Sequence, residues 1–523
     1  MADALVPSYN CVMVAWVLVV AAALMLVFHD PSPGWAQSAV LRVGVPSLPS
    51  VLDPSMALDG SVPLIARQAF DTLVQYTEGS SDIQPALATQ WSVSKDGLVW
   101  SFRLRSGVTF SDGTALSGQH VVDSLQREIN PQSGGAGVVS VLLRGIPGVI
   151  REVRAKDRTV EIVLSQPYAP ILTVLAHPVF SIVLPVTSGE GANRLLGTGP
   201  YAAVESASGR IVLEARPAYW GRRPRVSRLI FMETEEGQAD SALDTQGMDV
   251  FFPSGAPPRA KGAVSIPGWR IGYLALQTEK EPFRRLKARQ AVAMALDPAQ
   301  IAPALGALAV PLQAFLPPGV WARRDGPPVM GANAGQAKRL LNEAGLGSGS
   351  SASLLVGESG DGLDRPKLAE VLRGSLAAAG LAVTPRTEPP ETALSMMRAG
   401  DLQMALAEAR VDAGDPHFLL YPLSTTEGAT RGTPIFNFSF YRNRRLDDLL
   451  VRAGQLSFRP ERERLYLRAQ ALLADDLPWI PIYVRLHWVV ARPEVRGLRL
   501  HPSGSPRLDR VWLESSPPAP AGS

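Results

Sequence analysis

The stretch from residue 82 to residue 131 constrains the fold most, because strand, turn and helix signals follow one another in it. Residues 98–104 alternate between the two faces of an extended chain, which predicts a half-buried strand. Asp96-Gly97 before it and Asp112-Gly113 after it predict turns. Residues 114–130 then predict a helix with Ser117 as its N-cap. The stretch therefore predicts a strand, a turn and a capped helix that follow one another directly.

The length and the charge of the chain limit the number of domains and the kind of partner that we expect. A chain of 523 residues is too long for one hydrophobic core, so we expect two or three domains. Apolar residues make up 46% and charged residues 19%, which is typical of globular proteins. A formal net charge of +3 without long basic clusters predicts no nucleic-acid partner.

Residues that could carry catalysis or bind a metal are sparse. Cys11 is the one cysteine, which excludes a thiol nucleophile and thiolate metal sites in the body of the chain. The six histidines are scattered without metal-binding spacing, and neither a nucleophile elbow nor a phosphate-binding loop is found. We therefore predict no catalytic residue, no metal ligand and no cofactor, with a hydrolase as the rival class.

The N-terminus has the pattern of an export signal. Residues 11–28 are a continuous apolar run, followed by a stretch rich in proline and glycine and then by small residues. This order predicts a cleavable signal peptide over residues 1–38, cut after Ala36 or after Ser38. The same run is long enough to cross a bilayer if it is not cleaved, so a membrane-tethered sensor stays open.

Two further elements are predicted directly after this segment. Residues 41–47 alternate and predict a strand. Residues 61–76 have apolar side chains at helical spacing, which predicts a helix that packs one apolar face on the core.

The residue order of the stretch 82–131 resembles the signature of the bacterial extracellular solute-binding proteins of family 5, which serve dipeptide, oligopeptide and nickel importers. The matching residues in the first region are Pro85-Ala86-Leu87-Ala88, Trp91, Asp96-Gly97, Phe102-Arg103-Leu104-Arg105, Gly107-Val108-Thr109-Phe110 and Asp112-Gly113. Further matches are Leu52-Asp53-Pro54, Gly197-Thr198-Gly199-Pro200-Tyr201, Tyr219-Trp220, the segment at 337–345, Leu465-Tyr466, Ala469-Gln470 and the segment at 476–483. The resemblance covers the chain from about residue 40 to about residue 505.

This resemblance implies an α/β fold of the periplasmic-binding-protein type II kind, with two lobes joined by two crossing strands and an inserted third domain. The expected boundaries are 39–76, 188–276 and 482–513 for lobe I, 77–187 for the inserted domain, and 277–481 for lobe II. Residues 514–523 are expected to form a disordered tail.

The resemblance also implies where a ligand is held. Asp412 matches the aspartate that binds the α-ammonium group in peptide-binding members, and Asp415-Pro416 follows it. Asp59, Gly60 and Tyr273 fall where the family lines its site, while His417 is a further candidate contact.

The same loop departs from the family. It has Ala409 in place of a tryptophan, and no arginine matches the one that some oligopeptide binders use for the ligand carboxylate.

The implied function is that of the substrate-binding component of an ABC importer. It would bind a small peptide or peptide-like solute between the lobes, act as a periplasmic monomer and deliver the solute to a permease in the inner membrane. Binding of a metal chelate or of haem on the same fold is the alternative.

Overall fold

The computed structural model describes residues 39–57, 60–130, 150–186, 194–207, 209–235, 243, 247–255, 262–347, 349–358, 360–411, 413–429 and 436–514. The predicted signal peptide at 1–38 and the predicted tail beyond residue 514 lie outside the described residues. So do two predicted ligand contacts, Asp59 and Asp412. A helix with the length and apolar character needed to cross a membrane is not found in the described part of the chain.

Strands form one large sheet, a four-stranded sheet and several two-stranded pairs. In chain order they are β1 (Val40–Val45), β2 (Val74–Tyr76), β3 (Ile83–Pro85), β4 (Ala88–Val93), β5 (Val99–Leu104), β6 (Ile150–Lys156), β7 (Thr159–Leu164), β8 (Val183–Pro185), β9 (Leu195–Gly197), β10 (Tyr201–Ala207), β11 (Arg210–Ala215), β12 (Arg228–Glu233), β13 (Val250–Phe251), β14 (Ala263–Leu276), β15 (Ala309–Pro311), β16 (Ser351–Gly357), β17 (Ala382–Glu388), β18 (Met404–Arg410), β19 (Trp479–Ala491), β20 (Val495–Arg496) and β21 (Trp512–Leu513).

Helices lie between these strands and pack against the sheets. In chain order they are α1 (Val62–Ala69), α2 (Gly118–Ile129), α3 (Ile171–Val174), α4 (Leu286–Ala295), α5 (Pro298–Leu305), α6 (Ala334–Glu343), α7 (Arg365–Ala378), α8 (Pro390–Ala399), α9 (His417–Ser424), α10 (Arg444–Gln455) and α11 (Arg459–Asp476). Single 3₁₀ turns occur at Pro54–Met56, Pro178–Phe180 and Glu427–Ala429.

The large sheet contains two groups of strands on either side of β19 and β14. The first strand group is β10, β11, β12, β1 and β13, and the second strand group is β18, β16 and β17. The order of the large sheet is β10-β11-β12-β1-β13-β19-β14-β18-β16-β17, with β15 paired to β19 outside this path. The long strands β14 and β19 are antiparallel neighbours in its middle. β19 pairs with β13 near its C-terminal end and with β15 further back, while β14 pairs with β18. These two strands therefore connect the two groups, which confirms the predicted fold of two lobes joined by two crossing strands.

Burial explains why β1 is apolar on most positions. It lies between β12 and β13 and pairs with both in parallel, so both of its edges are hydrogen-bonded and the strand lies inside the sheet. Its side chains Leu41, Val43 and Val45 are at most 1% exposed. They belong to a hydrophobic core of the first strand group, which is distinct from the larger core that the second strand group and the four-stranded sheet share.

The stretch that constrained the fold adopts the predicted elements. β5 lies in the antiparallel sheet β4-β5-β7-β6, which confirms the strand expected at residues 98–104. Ser117 is the N-cap of α2, since its hydroxyl accepts from the His120 backbone N–H and His120 Nδ1 accepts from the Ser117 N–H. The helix begins at Gly118, where a Cβ atom would come within 2.7 Å of the Ala155 Cβ. The glycine thus allows α2 to lie close against β6.

The helix predicted over residues 61–76 is wrong in its second half. α1 ends at Ala69, and the chain then extends into β2, which pairs with β3. Between them the buried Asp71 carboxylate accepts from Trp220 Nε1 at 2.8 Å and from Arg507 Nη2 at 2.5 Å. These partners are far away in the sequence, so a pattern of neighbouring apolar residues cannot reveal them. A buried carboxylate is stable only when it is paired, and here its partners end the helix.

Candidate ligand-binding cleft

A cleft lies between the two strand groups. One wall is formed by the carboxyl ends of β1 and β13 and by the first turns of α1. Its lining residues include Val45, Pro46, Ser47, Gly60, Ser61, Leu64, Phe252, Pro253 and Ser254. Loops that follow the carboxyl ends of parallel strands commonly carry ligand sites in α/β proteins. The geometry of the fold therefore makes this cleft the first candidate for a binding site.

The opposite wall is formed by β14, β18 and β19, each of which contributes an arginine: Arg270, Arg410 and Arg485. Arg270 and Arg410 are direct neighbours across the β14–β18 ladder. Like charges in that position repel each other unless another group offsets them. The pairing of β14 with β19 is interrupted between Pro267 and Ile271, so Arg270 lies at an irregularity of the ladder, a feature that often occurs next to functional sites.

Arg485 is the most buried of these arginines, with 8% of its surface exposed. Its Nη2 donates to the main-chain carbonyl of Asp361 at 3.0 Å and lies 3.8 Å from the Asp361 carboxylate. Its Nη1 is buried and has no hydrogen-bond partner among the residues that the structure describes. A buried guanidinium donor without a partner is costly, so a ligand atom that accepts from it would stabilise the site.

A fourth arginine comes from the first wall, which α1 helps to form. Arg67 on α1 donates to the main-chain carbonyl of Ser505 at 2.6 Å. Burial lowers the pKa of Arg67 to about 10 and the nearby Arg507 adds to this effect, yet Arg67 stays cationic at neutral pH. Burial likewise lowers the pKa of His487 to about 4, which leaves this lining residue neutral. In the described part of the lining, four arginines thus face one carboxylate, that of Asp361.

Glu408 on β18 contacts a tyrosine and two arginines next to the cleft. Its Oε1 accepts from the Tyr483 hydroxyl at 2.7 Å, and its Oε2 lies 3.0 Å from Arg365 Nη2. Arg270 Nη1 is 3.8 Å from the same Oε2. Gly272 makes this arrangement possible, because a Cβ there would lie 2.1 Å from the Tyr483 ring.

A second pocket adjoins the cleft and shares Arg270 and Arg410 with it. Its wall combines apolar side chains with charged ones, among them Glu358, Arg365 and Arg398. The apolar residues that line it include Ala393, Leu394, Met397, Leu406, Phe418, Pro422, Leu423, Phe436 and Phe438. A ligand in the cleft could therefore extend an apolar group into this pocket while its polar groups stay near the arginines.

The sequence of residues 82–431 matches the family of bacterial extracellular solute-binding proteins, family 5 Middle. The chain belongs to this family. Members are solute-binding proteins of transport systems.

Individual relatives are similar over most of their length. The dipeptide-binding protein of Escherichia coli (strain K12) is 27% identical over 496 residues, which are 87% of this chain and 90% of the relative. Heme-binding protein A of Haemophilus influenzae is 27% identical over 497 residues, with 87% and 89% covered.

Solved structures show the same family 5 fold. HbpA2 from Haemophilus parasuis superposes with a TM-score of 0.82 at 24% identity and covers 91% of this chain and 100% of its own. DppA from Helicobacter pylori, in complex with the peptide STSA, has a TM-score of 0.67 at 26% identity, with 91% and 98% covered.

Of the ligand contacts predicted from the family 5 resemblance, Gly60 lines the cleft. It has a φ of +68°, which a glycine adopts without strain at the turn before α1. Asp59 and Asp412 lie outside the described residues, although Val411, next to Asp412, lines the cleft. Tyr273 is 1% exposed and lines the second pocket, where its ring meets Trp479 edge to face at 5.5 Å.

His417 is held in the core at the start of α9. It is 4% exposed, and its ring stacks on Tyr421 at 4.7 Å and meets Tyr168 at 5.4 Å. Neither ring nitrogen has a hydrogen-bond partner among the described residues. Burial, reinforced by Arg462, lowers the pKa of His417 to about 3, so the ring is neutral. His417 is not among the residues that line the cleft in the described structure, and its ligand role stays a prediction.

The arginines of the cleft were missed by the reasoning from sequence. A signal for them does exist, because Arg270 and Arg485 each interrupt an apolar run that becomes a central strand. A charged residue inside a buried strand needs a partner or a ligand. That signal marks each arginine singly, and only the fold brings them together.

Proposed function

We propose that this chain is the substrate-binding component of an ABC importer and binds a peptide-like solute in the cleft. The observation that carries the proposal is the composition of the cleft, since both strand groups that β14 and β19 connect contribute lining residues. A solute that contacts both walls has its full set of contacts only when the walls approach each other. Binding therefore shifts the equilibrium towards a closed form, which a permease can distinguish from the open form.

We further propose that Asp412 binds the α-ammonium group of the solute, and that Asp59, Gly60 and Tyr273 contribute to the site. The lining residue Val411 next to Asp412 supports the first assignment, and the position of Gly60 in the cleft supports the second. A carboxylate that is partly shielded from water favours an ammonium partner, because an unpaired charge there is costly.

The remaining features of the proposal rest on the sequence pattern of the N-terminus and on the family resemblance. The predicted lobe boundaries at 39–76, 188–276, 277–481 and 482–513, with the inserted domain at 77–187, are part of it. We propose a periplasmic monomer without catalytic activity, exported by residues 1–38 and released after Ala36 or Ser38. Sequencing the N-terminus of the protein from the periplasmic fraction tests the last point, because a chain that starts at Met1 would contradict it.

Binding of haem or of a metal chelate is a second candidate. It is favoured by the 27% identity to heme-binding protein A and by Phe418, Phe436 and Phe438 in the second pocket, which offer aromatic walls to a flat ligand. In the described residues no group of three or more His, Cys, Asp or Glu side chains could hold a metal ion.

Calorimetric titration of the purified protein with di- to pentapeptides, glutathione, haem and Fe(III)-EDTA tests both candidates. A ligand at a hundred times its dissociation constant should also stabilise the fold by about 2.7 kcal/mol, visible as a raised melting temperature. Binding of peptides supports the first proposal, whereas binding of haem or chelate alone supports the second. A protein that binds none of these would contradict both.

The variant Asp412→Asn tests the ammonium site. It should weaken peptide binding by about 2–5 kcal/mol, because the ammonium then loses its charged partner. Asp448→Asn is the matched control, since Asp448 is exposed on α10. Equal affinities of the two variants would remove Asp412 from the site.

A further inference from the structure

The basic character of the cleft goes beyond what a simple peptide requires. A dipeptide without charged side chains carries one ammonium and one carboxylate group, and one arginine suffices for that carboxylate. Here Arg67, Arg270, Arg410 and Arg485 come from four separate segments and line one cleft. Within the described ranges Asp361 is the acid that lines it, and the Glu408 carboxylate, outside the lining, lies 3.8 Å from Arg270.

The surroundings of Arg485 point to an anion. Its Nη2 is held by the carbonyl of Asp361 at 3.0 Å, while its buried Nη1 has no acceptor in the described structure. The side chain is 8% exposed, so water cannot fully replace the missing acceptor. A carboxylate oxygen in the cleft would complete this guanidinium, which binds planar anions through paired donors.

The distribution over two walls adds a second, independent argument. Arg270 and Arg410 are neighbours on the β14–β18 ladder, while Arg67 is on α1 in the opposite wall. As the walls approach, the guanidinium groups repel one another more strongly, because Coulomb energy rises with decreasing distance and with the loss of water. An anion between the walls converts this repulsion into attraction. The charge of the solute would then decide whether the cleft closes.

We propose that the solute of this cleft is acidic and carries at least two carboxylate groups, as in a peptide with a glutamate or aspartate side chain. This inference rests on the proposed function of the cleft and specifies its substrate class. Asp412 would bind the ammonium group, and the arginines on both walls would bind the carboxylates.

Calorimetric titration with Ala-Glu, Ala-Gln and Ala-Lys tests the proposal, since the first two peptides have nearly the same shape. We expect Ala-Glu to bind at least about tenfold more tightly than Ala-Gln, the gain of one charge-assisted hydrogen bond over a neutral one. The ratio of the two affinities should fall as the salt concentration rises. Ala-Lys should bind most weakly.

The variants Arg270→Gln and Arg485→Gln assign this preference to the cleft. Each should reduce the ratio of the Ala-Glu and Ala-Gln affinities, a readout that a general loss of stability does not produce. Arg270 is 41% exposed at its side chain, so its replacement should leave the fold intact if Arg485→Gln does not fold. Arg452→Gln on α10, with an exposed side chain, is the matched control and should keep the ratio of the unaltered protein.

The outcomes separate this inference from the proposed function. Equal binding of Ala-Glu and Ala-Gln, or tighter binding of Ala-Lys, would overturn the acidic solute and leave peptide binding intact. Binding of citrate without binding of any peptide would keep the anionic solute and overturn the peptide. If no carboxylate-containing probe binds more tightly than its neutral analogue, the inference is wrong.

Discussion

Breaking the buried ion pair between Asp415 and Arg462 by removing one partner should cost more stability than breaking an exposed pair. Asp415 is 0% exposed and Arg462 is 7% exposed at its side chain. Arg462 Nη2 donates to both carboxylate oxygens at 2.9 Å, and its Nε donates to the carbonyl of Ala453 at 2.7 Å. The pair ties the segment after β18, which leads away from the cleft, to α11.

The replacement Asp415→Asn removes one charge and keeps the shape. The new amide has one acceptor oxygen, and its NH₂ group faces the donors of Arg462. The Asp415 Oδ1 also accepts from the His417 N–H at 3.0 Å and from the Tyr466 hydroxyl at 3.4 Å, so an amide oxygen at this position must serve three donors. Removing one partner of a buried pair leaves an uncompensated charge, which costs about 3–5 kcal/mol. We expect the free energy of unfolding to fall by that amount.

Urea unfolding followed by tryptophan fluorescence measures this loss. Trp321 lies with its ring 5.0 Å from the Arg462 guanidinium, so it reports on the same region. Glu370→Gln is the matched control, because Glu370 forms an exposed pair with Arg373, and such pairs contribute about 0–1 kcal/mol. The double variant Asp415→Asn, Arg462→Gln should lose less than the sum of the single variants. If Asp415→Asn were as stable as the control, with an unchanged dependence on urea, the reasoning would be refuted.

Three further predictions concern packing and pH. Gly272→Ala should lower stability by about 1–3 kcal/mol in thermal unfolding, because the new Cβ displaces the Tyr483 ring from Glu408. Gly374→Ala on α7 is the control and should not destabilise the protein, because a Cβ at that position has no atom within 4 Å. Burial raises the pKa of Glu128 to about 7 from 4.5, so the folded state binds more protons between these pH values and stability falls as pH rises through that window. Glu128→Gln should remove this slope and gain up to about 3 kcal/mol at pH 8, whereas unchanged unfolding profiles would contradict the shift. Burial lowers the pKa of His417 to about 3, so stability should fall as pH drops below 6.5, and His417→Leu should flatten the unfolding free energy measured between pH 6.5 and 4.

The sequence predicts the fold where the signals are local. The capping box of α2 involves Ser117 and His120, which are three residues apart, and β5 has the expected alternation. Such elements need no knowledge of distant residues. The family resemblance then supplied the arrangement of the lobes, which no periodicity in the chain contains.

The sequence fails where distant residues decide the local structure. Residues 61–76 have helical spacing throughout, but the helix stops at Ala69. A Cβ atom at Gly199 would lie 2.4 Å from the carbonyl carbon of Ala69, so another segment of the chain occupies the space beside this helix end. Asp71 then turns towards Arg507. Tertiary contacts of this kind override local propensity.

The composition of the cleft depends on strand register and is therefore the least accessible property of the sequence. Arg270 stands opposite Arg410 because β14 and β18 pair in one particular register. A shift by one residue would turn each of these side chains to the other face of the sheet. The register between β14 and β19 also changes next to the cleft, between Pro267 and Ile271. The charge of the cleft is thus a consequence of sheet geometry. Variants that alter the β14–β18 register near Arg270 should therefore change the ligand preference even when no charged residue is replaced.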